Sequence, residues 1–164
     1  SDLLAPLRNL PVWVVLRLCT DDNAIVQYWS DIDTEVELDM DVLDDLESEA
    51  VEVNRHSPWF TYGLPLQRLR EWGTANKLFD VLDERSLEPH ELKELTTLIY
   101  GYRQAADLPD PQRDWAHFTA ALDHLNTTRN STTWDPSRKR MRPWIKNGRK
   151  LATTYHPSPS CTIM

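Results

Sequence analysis

Glycine is scarce in this chain, with four among 164 residues. A glycine-rich phosphate loop therefore has nothing to be built from, and no G-x-S-x-G, C-x-x-C or H-E-x-x-H motif occurs. Cysteine is scarcer still. Cys19 lies in an apolar stretch and Cys161 four places from the end, too few and too ill-matched for a disulfide framework. That usage fits a reducing, cytoplasmic setting, whereas the sequons at Asn126 and Asn130 fit a secreted one. Long apolar runs are missing too. The longest, Val12 to Leu18, is interrupted by Arg17 and is far too short to span a bilayer. Ser1 to Leu10 lacks the charged region, apolar core and small-residue cleavage site of a secretory signal.

The last shortage is local and concerns basic residues. Between Asp21 and Glu52 stand 13 acids and no Lys or Arg, while Arg138 to Lys150 holds seven basic residues and no acid. The net charge of −8 thus conceals a charge dipole. Such asymmetry speaks of partners: an acidic face attracts cations or basic peptides, and a basic segment attracts phosphate or anionic lipid. It argues against a nucleic-acid-binding core.

Hydrophobic residues make up 40% of the chain, and seven Trp can build a core for one domain. Pro11 to Cys19 is short, apolar and β-branched, the pattern of a buried parallel strand. Thr20, Asp21 and Asp22 then offer caps for a helix from Asn23 to Ile32, whose Ile25, Val26, Trp29 and Ile32 share a face. From Asp31 to Asp41 acids alternate with mostly apolar residues, which predicts a strand bearing Asp31, Asp33, Glu35, Glu37, Asp39 and Asp41 on one face. Helical spacing returns over Val42 to Asn54, Leu66 to Trp72, Lys77 to Leu82, Pro89 to Tyr100 and Asp110 to Leu125. Trp59 to Pro65 supplies core aromatics. After Asn126 the sequence turns to Thr, Asn, Ser, Pro and cations, predicting an α/β domain over 1–126 and an extended, Trp-containing basic arm over 127–164.

Candidate sites follow from the charges. The acidic stripe could hold a cation, although an EF-hand loop begun at Asp31 fails at Val36 and Val42. It could equally be a solvated strand face, or a seat for the basic residues Arg138, Lys139, Arg140, Arg142, Lys146, Arg149 and Lys150 in this chain or a partner. His56, His90, His117, His124 and His156 are scattered; His117 and His124 share a helical face without a third ligand nearby. Asp80, Asp83 and Glu84 beside Arg85 read as solvated helix-end charges. Cys161-Thr-Ile-Met164 matches a C-a-a-X prenylation signal with a polybasic run upstream, and its last three residues also fit a PDZ ligand.

Val14 to Asp22, Leu43-Asp44-Asp45 and Trp59 to Pro65 together make the segment from Pro11 to about Gly101 resemble the later part of a von Willebrand factor A-like domain. The resemblance implies a partial doubly wound sheet flanked by helices, a helical C-terminal part, and contacts with proteins through a magnesium or calcium ion at the carboxyl ends of the strands. Asp21 and Asp22 would then stand where an acidic metal-loop ligand belongs. The D-x-S-x-S motif of that family occurs nowhere in the chain. With two clear strands, either a partner, a second copy or a preceding segment completes the sheet, or the fold is a reduced one. The reading reached is a non-enzymatic protein-interaction module using an acidic strand face and loop, with or without a cation. Two alternatives stay open: a peripheral membrane protein held by Cys161 lipidation and the basic run, and an enzyme with an unrecognised site.

Overall fold

A computed structural model describes residues 4–7, 9–20, 22–35, 40–146 and 148–155. The elements run α1 (Leu4–Leu7), β1 (Val14–Arg17), α2 (Asn23–Glu35), β2 (Met40–Leu43), α3 (Leu46–His56), α4 (Leu64–Glu71), α5 (Lys77–Glu84) and α6 (Pro89–Tyr100). They continue with α7 (Tyr102–Ala105), α8 (Trp115–Arg129), β3 (Thr132–Asp135), β4 (Arg140–Pro143) and α9 (Gly148–Tyr155). The chain is a mixed α/β protein with two small sheets.

The apolar, β-branched run forms β1, which pairs in parallel with β2 from Val14 opposite Met40 to Arg17 opposite Leu43. Helix α2 makes the crossover. At its start the Asp22 carboxylate accepts the Ala24 N–H at 2.9 Å, so this residue serves as a helix cap. Beyond β2, the Asp45 carboxylate caps α3 by accepting the N–H groups of Glu47 and Ser48.

The acidic alternation does not make the predicted strand. Asp31, Asp33 and Glu35 belong to α2, which runs three residues past Ile32, while Glu37 and Asp39 lie outside the described residues. Only Asp41 sits on a strand, and there it is buried. Partial burial of Val26, Trp29 and Ile32 at i, i+3 and i+6 of a helix overrides the period of two, because exposed helix faces accept acids at any spacing. Val42 and Leu43, read as the start of a helix, instead finish β2.

The core gathers Trp59, Phe60 and Tyr62 with apolar faces of α3, α5, α6 and α8. The basic arm is the second correction. Residues 132–155 form the β3–β4 hairpin and α9, with Ile145 and Leu151 fully buried in that core. Phe60 bridges to Ile145, the Thr61 N–H donates to the Trp144 carbonyl at 2.8 Å, and the Lys146 N–H donates to the Trp59 carbonyl at 2.7 Å. The Tyr155 ring lies 5.4 Å from Trp115 and 6.4 Å from Trp59. The boundary placed at 126/127 falls inside α8. Gly63 explains how the hairpin comes so close: a Cβ there would stand 2.1 Å from the Thr133 hydroxyl.

Candidate functional site

One charged side chain is nearly lost to solvent. Arg70, on the inward face of α4, is 2% exposed, and all five of its guanidinium N–H donors have partners. Nε and Nη2 grip both oxygens of Asp41 at 3.2 and 2.8 Å, a bidentate pair supplied by β2. Nη1 donates to Glu49 of α3 at 2.8 Å and to the Tyr62 hydroxyl at 3.3 Å, and Nη2 reaches Asp83 of α5 at 3.3 Å. Outer bonds fix these acceptors. The Asp44 N–H donates to the other Glu49 oxygen at 2.9 Å. Tyr62 donates to Gln67 at 2.6 Å, and Gln67 in turn donates to the Asp44 carbonyl at 3.0 Å.

Above Arg70 opens a cleft of about 230 Å³. Leu18, directly after β1, and Asp44, directly after β2, both line it, which places it at the carboxyl ends of the parallel strands. Ligand sites of open α/β sheets form there because the crossover loops diverge and leave a crevice. Seven carboxylates face this space, those of Asp41, Asp44, Glu49, Glu52, Asp80, Asp83 and Glu84, against the single guanidinium. Glu49, Glu52 and Asp83 bring one oxygen each within 4.8 Å of one another.

Such crowding holds protons on the cleft. Burial drives the Glu49 carboxyl up to about 8 despite the opposing pull of Arg70. Burial, and then the Asp41 charge, lift Asp80 to about 7, and burial raises Asp83 as well. Burial alone would favour a neutral Arg70, but the Asp41 hydrogen bonds and the Glu49 charge more than offset it and keep the guanidinium protonated. Burial thus favours the neutral forms of Glu49, Asp80 and Asp83 within the cleft.

No family model, curated protein or solved structure matches this chain.

The structure brings together a different set of acids from the predicted one. Among the described residues of the stripe, Asp41 belongs to the cleft, whereas Asp31 is exposed and hydrogen-bonds to Gln27 within α2. Asp22 caps α2, and Asp21 lies outside the described residues, as does Cys161. Asp80 and Asp83 are not the solvated charges expected, since Asp83 pairs with Arg70 and Asp80 is half-buried. His117 pairs with its own helix cap, Asp114, at 2.5 Å, and that bond raises its pKa. Arg138 and Arg142 pair with Asp135 of the same hairpin rather than with the stripe. Sequence reasoning missed Arg70, whose partners stand 29, 21 and 13 residues away. The one available signal was a basic residue at a helix position spaced i+4 from the core residue Leu66.

Proposed function

We propose that this chain is a non-enzymatic protein-interaction module whose acidic cleft receives a cationic side chain from a partner. The observation that carries this reading is the imbalance of seven carboxylates over one buried guanidinium in a crevice at the strands' carboxyl ends. Asp41, Glu49 and Asp83 spend acceptor capacity on Arg70, whereas Glu52 and Glu84 stand exposed at the rim with no ion pair among the described residues. A guanidinium or ammonium group suits such a rim, because it needs a few acceptors at hydrogen-bonding distance. A bare magnesium or calcium ion is a poorer fit, since six or more oxygens should close around it. A cation bridging Glu49, Glu52 and Asp83 remains the second form of the same reading, motivated by their oxygens lying within 4.8 Å.

The sheet supports a binding role independently. Val14, Val15 and Leu16 are only half-buried, and among the described residues β1 pairs with β2 alone. A parallel sheet ordinarily covers both faces, so this edge is a surface on which another strand can add. The parallel β1–α2–β2 unit is also the building block of a doubly wound sheet, which favours the von Willebrand factor A-like reading.

The test uses an oligo-arginine peptide, with magnesium and calcium titrated in parallel. E52Q/E84Q removes two rim charges, and E94Q/D107N removes two exposed charges that do not line the cleft. The first variant should weaken peptide binding about tenfold or more at low salt and the second far less. Equal weakening by both would show attraction to net charge and sink the proposal.

A further inference from the structure

The cleft leaves the basic hairpin unexplained. Alternation along its strands puts Thr133 and Asp135 inward, both buried, and turns Thr132, Trp134, Met141 and Pro143 outward. Trp134 and Met141 stand directly opposite each other, 45% and 57% exposed, so the outer face is an unpartnered apolar pair. Arg138 and Lys139 stand in its turn and Arg140 opens β4 opposite Asp135, all three exposed. Asp135 is the acid beneath them, already engaged by Arg138 and Arg142. Among the described residues neither Lys139 nor Arg140 has an ion-pair partner. The positive field is strong enough to be felt inside: burial first, then the charges of Arg138, Arg142 and Lys150, push Lys146 down to about 8.

We infer that the β3–β4 hairpin is a docking element for an anionic lipid surface, with Trp134 and Met141 entering the headgroup boundary and Lys139 and Arg140 meeting the lipid phosphates and carboxylates. Charge complementarity selects the occupant. In a chain of net charge −8, a local cationic tip turns the hairpin toward an anionic bilayer. Tryptophan prefers the interface because its ring is apolar and its N–H stays wet. Single-stranded RNA also seeks cations and aromatic planes, but the outward apolar neighbours of Trp134 on this hairpin are Met141 and Pro143, which bury in acyl chains and offer no second stacking plane. Two weak signals, apolar insertion and charge, meet at the turn end of one hairpin, and reversible binding needs both. This inference depends on neither the acidic cleft nor modification of Cys161.

The experiment is cosedimentation of the full, unlipidated chain with phosphatidylcholine vesicles, with and without phosphatidylserine. Binding should require phosphatidylserine and fall as salt is raised. W134S/M141S should weaken it about tenfold, and K139E/R140E by about 25-fold if each residue contributes roughly fivefold. These side chains are exposed, so circular dichroism and thermal midpoints should match wild type. Wild-type affinity in both variants, no binding to phosphatidylserine vesicles, or binding of poly-uridylate in preference to vesicles would each overturn the assignment.

Discussion

Arg70 illustrates how a buried charge becomes a scaffold. Its five donors tie β2, α3, α5 and the Tyr62 segment to α4, and the acids that satisfy it also surround the cleft. The surplus carboxylates have an energetic consequence with a definite sign. Glu49 and Asp80 titrate higher in the fold, about 8 and about 7, than the 4.5 and 3.8 of free side chains. Between those limits the folded chain holds more protons than the unfolded one, so stability declines as pH rises from about 4 to about 8. Asp80→Asn removes one of these groups without breaking a bond to Arg70. Because Asp80 is only half-buried, its full shift overstates the gain; after solvent screening, about 1 kcal/mol of stabilisation is expected at pH 8.5 and nearly none at pH 4. Urea denaturation at the two pH values checks this, and equal effects at both would remove Asp80 from the account.

At the scale of elements, the hairpin and α9 behave as part of the fold. Leu151 is fully buried, and the Gly148 N–H donates to Asp123 of α8 at 2.9 Å, where a Cβ would press on Asp123 and Thr119. Leu151→Ala should therefore cost about 2–4 kcal/mol, and truncation after Asn126 should leave no cooperative unfolding transition. A truncated chain that melts like the full one would return these residues to the status of an appendage. Strand β1, the start of α2 and helices α4 to α6 were legible in the sequence because compact apolar runs, capping acids and Pro89 carry local signals. Two regions were not. The alternating acids imitated a strand because surface charges obey no period, and the 127–164 segment looked coreless because few large residues suffice when Trp59, Phe60 and Trp115 supply the surrounding wall. The cleft was illegible for a further reason: ion pairs between distant residues leave no pattern in any window of sequence.

On the scale of the whole molecule, the separation of acids and bases along the chain survives folding as two distinct features. The acids of β2, α3 and α5 converge on the cleft, whereas the bases of the C-terminal part cluster around the hairpin. No helix among the described residues is long and apolar enough to cross a membrane. A cation held at Glu52 and Glu84, as proposed, would favour the ionised forms of the neighbouring Glu49 and Asp80, coupling its binding to release of the protons that burial holds there. Calorimetry of the oligo-arginine peptide at pH 7, in two buffers of different ionisation enthalpy, measures that release directly. The account predicts net proton release on binding and affinity that rises as pH rises from 6 to about 8.5. Binding with no proton release, and with affinity unchanged across that range, would contradict it.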